Sequence, residues 1–141
     1  MAEKGETRRQ YIILEAIGPE DGKQSFQPVA DYDADGDCIE FLSRPDPFYA
    51  ERVDELVTVY RSQDNGQIIG SLIKGIHPLL EKHPGLRIEV QDGRVRLVHL
   101  IRARLWASSL DPADILSVTY RKLIEVAEES NVEAELTPIA G

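Results

Sequence analysis

The chain has 141 residues, 42% hydrophobic and 29% charged, the balance of a soluble folded protein and not of a disordered one. That length makes one ordinary domain or two very small ones, and it can bury a core without covalent staples. A net charge of −9 argues against nucleic acid as a partner, because phosphate binding draws on Lys and Arg.

Cys38 is the single cysteine, so an internal disulfide is excluded and a reducing compartment fits. MAEKGETRRQ lacks a signal-peptide core, and no apolar window reaches membrane-spanning length. The expectation is a cytoplasmic protein with no membrane partner.

Residues 1–9 read as a loose tail and 10–141 as a single domain, divisible at most into 10–76 and 77–141. Tyr11 to Ile17 is a short β-branched apolar run that predicts a strand, followed by a turn at Asp21-Gly22. Phe26 to Ala30 can extend into an edge strand, given Pro28. Asp37 to Leu42 alternates, with Ile39 and Phe41 on one side. Pro45 and Pro47 mark a loop, and Asp46-Pro47 can start a short helical turn over Phe48–Arg52.

Val53–Arg61 and Gln67–Lys74 predict a hairpin with Gly66 in the left-handed position, pairing Val57 with Ile73, Val59 with Ser71 and Arg61 with Ile69. That register puts Val57, Ile69 and Ile73 on one face. Ile76–Lys82 predicts a short helix, closed by Pro84-Gly85. Leu86–Val90 and Arg94–Ile101 then read as a second hairpin about Asp92-Gly93, with Glu89 opposite Arg96 and His99 ending its apolar face. Ala103–Ser109 continues that strand or makes a connector.

Asp111-Pro112 opens a helix with Leu116, Tyr120, Leu123 and Ala127 as its stripe and Ile115, Ile124 and Val126 widening it. Asn131 ends it, and Val132 to Leu136 alternates as a last strand reaching Pro138. The expected fold is α+β: six or seven short strands, mostly antiparallel hairpins or a meander, packed with one long C-terminal helix.

Asp31, Asp33, Asp35, Gly36 and Asp37 match the opening of an EF-hand calcium loop. The pattern fails at its twelfth position, where Leu42 replaces the bidentate Glu. Two readings stand: a calcium or small-ligand site on Asp31, Asp33, Asp35 and Asp37, or an acidic turn in which Asp33 bonds its own backbone. No other cofactor is indicated.

His77, His83 and His99 lack a ligand spacing, Cys38 sits in a strand pattern, and Ser108-Ser109 has no nucleophile-elbow context. Acids dominate from Asp31 to Glu55, and five arginines fall between Arg87 and Arg104. Arg94, Arg96, Arg102 and Arg104 share strand parity, which makes them a candidate partner-binding face.

Tyr32-Asp33, Asp37, Ile39 and Phe41, then Leu56 to Val59, then Gly66-Gln67-Ile68-Ile69-Gly70 with Ile73 resemble a family of small bacterial domains of unknown function. The resemblance covers residues 32–76 only. It implies a three-stranded meander in a small domain without an enzymatic look, and it brings no catalytic residues.

The functional expectation is association, with itself or with a protein partner, and no catalysis of its own. The alternatives are an ion or small-ligand binder using the 31–37 acids and, last, a carboxylate-dependent hydrolase.

Overall fold

The computed structural model describes residues 26–90 and 93–136. The strand expected at Tyr11–Ile17, the Asp21-Gly22 turn, Asp92 and the stop at Pro138 lie outside the described residues. Five strands, β1 (Val29–Asp33), β2 (Cys38–Leu42), β3 (Phe48–Arg52), β4 (Val57–Ser62) and β5 (Ile68–Lys74), form an antiparallel sheet in the order β1-β2-β5-β4-β3. Helices α1 (Ile76–Lys82), α2 (Pro84–Glu89), α3 (Leu97–Ser108) and α4 (Ile115–Ser130) follow, and β6 (Arg94–Arg96) pairs antiparallel with β7 (Glu133–Glu135). The class is α+β.

Strand alternation sets the inner face. Ile39 pairs with Ile73 and Phe41 with Ser71, while Val57 and Val59 take the same two partners from the other side. Ile39, Phe41, Val59 and Ile73 are completely buried. Against them pack Ile76, Leu79, Leu97, Leu100, Ile101, Tyr120 and Leu123, so one hydrophobic cluster joins both halves of the chain. Truncating a residue such as Phe41 to Ala in this setting costs about 3–5 kcal/mol.

The chain order is a Greek key. β3, β4 and β5 run as a meander, and β5 then docks on β2. The meander implied by the family resemblance, with the Ile39, Val57 and Ile69 segments as successive neighbours, therefore does not form, because β5 sits between β2 and β4. The connection from Ser43 to Pro47 must pass three strand spacings, roughly 14 Å, to reach the far edge. Pro45 and Pro47 keep it extended, and it is tied down where the Ser62 hydroxyl donates to Asp46 at 3.0 Å.

Several expectations need correction. Phe48–Arg52 is a strand and not a helical turn, since it completes the ladder of β4. The β4–β5 register holds for Val57 and Val59, but a bulge beyond Tyr60 pairs Arg61 with Ile68. In consequence Ile68 joins the core cluster with Val57 and Ile73, and Ile69 is buried outside it.

The second hairpin does not exist. Leu86 lies in α2, which Pro84 opens at a position where its missing N–H costs nothing. His99 and Ala103–Ser108 lie in α3. β6 finds its partner in β7, leaving Arg94 bridged to Glu133 and Glu135 at 3.7 and 4.0 Å. The N-cap of α4 is Asp114, whose carboxylate accepts from Leu116 N, while Asp111 bonds Ala113 N in the preceding turn. The helix is thus not alone: α3, of 12 residues, packs against it.

Candidate association surface

The two edges of the large sheet differ. β1 runs beside β7, whereas among the described residues β3 has a neighbour only on its β4 side. β3 is short and mostly exposed, with Tyr49 at 47% exposure. Gln63 N donates to Pro47 O and Val53 N to Val57 O, each at 2.8 Å. Those bonds assign the odd-numbered residues of β3 to the β4 ladder. By antiparallel alternation, the N–H and C=O groups of Phe48, Ala50 and Arg52 point outward. One of them is occupied weakly, as Gln63 Nε2 reaches Phe48 O at 3.4 Å.

Phe48, Ala50 and Arg52 project onto the sheet face opposite the core. Phe48 stacks on Tyr60 with ring centroids 4.5 Å apart and planes at 21°. Tyr60 donates its hydroxyl to Glu40 Oε2 at 2.6 Å, which fixes the ring. Leu42 and Leu72 are half-buried on this face, and Val29 is 40% exposed. On the core side of β3, Arg61 joins Glu51 and also donates to Gly66 O. The edge is therefore aromatic at one end and carries Arg52 at the other, with Glu51 paired to Arg61.

The acids singled out in the sequence are placed as follows. Asp31 is exposed on β1, and Asp33 accepts from Asp35 N at 3.1 Å, closing an Asx turn. Asp37, at a φ of 51°, accepts the Tyr32 hydroxyl at 2.8 Å and His77 N at 3.0 Å. It anchors the start of α1. Among the described residues no three His, Cys, Asp or Glu side chains gather in metal-holding geometry.

The four arginines come from two elements. Arg94 and Arg96 lie on β6 while Arg102 and Arg104 lie on α3, where the strand parity used to group them does not apply. Arg96 donates to Asn131 Oδ1 at 2.7 Å, and Arg102 reaches Glu128 at 3.4 Å. His99 does not end an apolar face; its Nδ1 lies 2.8 Å from both Glu89 oxygens.

Two features were missed in the sequence. Tyr120, 1% exposed, donates to Asp54 Oδ2 at 2.7 Å, and Asp54 Oδ1 also accepts from Leu56 N and Val57 N. Burial, then that bond and the Asp54 charge, push the Tyr120 phenol well above its ordinary range, against an opposing pull from Arg104. Tyr32 is raised likewise by burial and by its bond to Asp37. The second is an open groove of about 580 Å³ between α3 and α4, lined by Leu105, Trp106, Leu110, Pro112 and Arg121. Trp106 is 76% exposed beside it, with His83 edge-on at 5.5 Å.

Among the described residues no helix is long and apolar enough to cross a membrane. Comparison of the chain with protein-family models, curated proteins and solved structures finds no match.

Proposed function

We propose that this protein works by association, taking up a further strand along β3, and that it carries out no catalysis of its own. The observation that supports this is the outer edge of β3. Three residues present main-chain donors and acceptors outward beside a fixed aromatic pair, while the opposite edge is flanked by β7. Association by strand addition uses main-chain hydrogen bonds for affinity and the neighbouring side chains for selection.

The test is Ala50→Pro. Its ring removes an outward N–H that β4 does not use, so the fold is kept, as expected for proline on an edge strand. The expected results are a wild-type species heavier than one chain in native mass spectrometry at tens of micromolar, and its loss in the variant with far-UV circular dichroism unchanged. A folded variant that still assembles like the wild type refutes the proposal.

A further inference from the structure

Resting on that reading, we infer that the strand taken up by β3 is β3 of a second copy, paired antiparallel about a two-fold axis at Ala50. The inference comes from the parity and chemistry of Phe48–Arg52. The outward-facing residues are Phe48, Ala50 and Arg52, a set symmetric about Ala50. A two-fold axis there makes Ala50 face Ala50, and it sets Phe48 of each copy opposite Arg52 of the other. Each is a hydrogen-bonded pair, exchanging about two N–H···O=C bonds. No other centre in this five-residue strand uses all three outward residues.

Side chains agree with the backbone. At the axis, where two side chains meet on one face, stands the smallest residue of the strand. Arg52 of one copy comes beside the Phe48–Tyr60 stack of the other, an arrangement that suits a guanidinium over an aromatic face. On the core side, Tyr49 stands opposite Glu51, and no like charges face each other. The product is a continuous ten-stranded sheet built from two copies of the five-stranded one. Closure about a two-fold axis uses the β3 edge of each copy, which has no outer strand among the described residues, and stops growth there at two chains.

A strand pair of this length lies at the small end of specific interfaces, roughly 1,200 Å² or less. The dimer is therefore expected to form in the micromolar range and to depend on concentration.

The experiment is disulfide trapping in full-length protein carrying Cys38→Ser. Residues facing each other in a hydrogen-bonded antiparallel pair have Cα atoms about 5.5 Å apart, within the span of a disulfide. Ala50→Cys is expected to cross-link to itself on mild oxidation at tens of micromolar, at least tenfold faster than Asp64→Cys in the exposed β4–β5 turn. Arg52→Glu, read by analytical ultracentrifugation on the otherwise native chain, is expected to weaken the dimer about tenfold.

If Ala50→Cys reacts no faster than Asp64→Cys while Ala50→Pro still abolishes assembly, the partner strand is not a second copy in this register. The inference then fails and the association reading survives. If the wild-type chain is a monomer at 100 µM and Ala50→Cys stays reduced, self-pairing is refuted. If a dimer persists in Ala50→Pro, the association reading at β3 fails with it.

Discussion

Tyr120 and Asp54 stand 66 residues apart in the chain, and their side chains meet at 2.7 Å beneath the turn that joins β3 to β4. The phenol sits in the core, and the carboxylate also collects the N–H groups of Leu56 and Val57. This contact fastens α4 to the sheet. A buried hydrogen bond to a charged acceptor contributes about 1.5–3 kcal/mol. Tyr120→Phe is expected to cost that much in urea unfolding, and Asp54→Ala more, because it leaves three donors without an acceptor. Equal stabilities for wild type and Tyr120→Phe would remove the contact's importance.

The same bond gives a pH dependence. The folded state holds the Tyr120 proton more tightly than an unfolded tyrosine, whose pKa is about 10. Stabilisation from this group is therefore complete below pH 10 and is lost as pH climbs beyond it. Tyr32 acts in the same direction. Urea midpoints measured from pH 8 to 11 are expected to fall less steeply in Tyr120→Phe than in the wild type. Parallel curves would contradict the assignment.

Two glycines should respond oppositely to alanine. A Cβ on Gly70 would lie 2.3 Å from the Phe41 carbonyl oxygen and 3.2 Å from Leu42 Cα, at the last pair of the β2–β5 ladder. Backbone cannot yield there without opening the sheet, so Gly70→Ala is expected to lose about 3 kcal/mol, the upper end of overpacking costs, or to fail to fold. Gly85, inside α2, meets nothing within 4 Å. Gly85→Ala is expected to gain about 0.5–1 kcal/mol by helix propensity, read as a rise in melting temperature.

Ser71 gives a third contrast. It is completely buried on the inner face, and its hydroxyl has no hydrogen-bond partner among the described residues. An unmet buried hydroxyl costs about 1–3 kcal/mol, so Ser71→Ala is expected to be neutral or stabilising in thermal melts. A clear loss would reveal a partner for the hydroxyl.

The central strands were legible because period-two burial is local. Ile39 and Phe41, or Val57 and Val59, declare their inner face without knowing their neighbours. Gly66 and Asn131 were legible for a related reason, as each meets a left-handed φ, 75° and 51°, that few residues tolerate. Residues 84–108 were misread because the segment satisfies two periods at once. Val95 and Leu97 alternate like a strand, but Leu97, Val98, Leu100 and Ile101 also form a helical stripe. Burying all four in the core cluster decides the matter for α3.

The candidate surface was legible only in outline. Association was expected, and the arginines offered as its face lie on two elements. The β3 edge was hidden because FYAER has weak alternation and follows a proline that also suits a helix start. Its strand state comes from β4, which needs a second neighbour. The Tyr120–Asp54 bond leaves no local signature at all.

The clasp of β6 on β7 bears on how the protein is made. Arg96 pairs with Glu133, and Leu136, completely buried, donates to Gly93 O. At synthesis rates of about 5–20 residues per second, some two to eight seconds separate the emergence of Arg96 from that of Leu136. Throughout that interval β6 has no strand to pair with and the apolar stripe of α3 lacks α4 as cover. Premature release or a stalled ribosome in this window would expose a sticky intermediate, so the yield of native chain depends on how steadily the forty residues from Leu97 to Leu136 are translated.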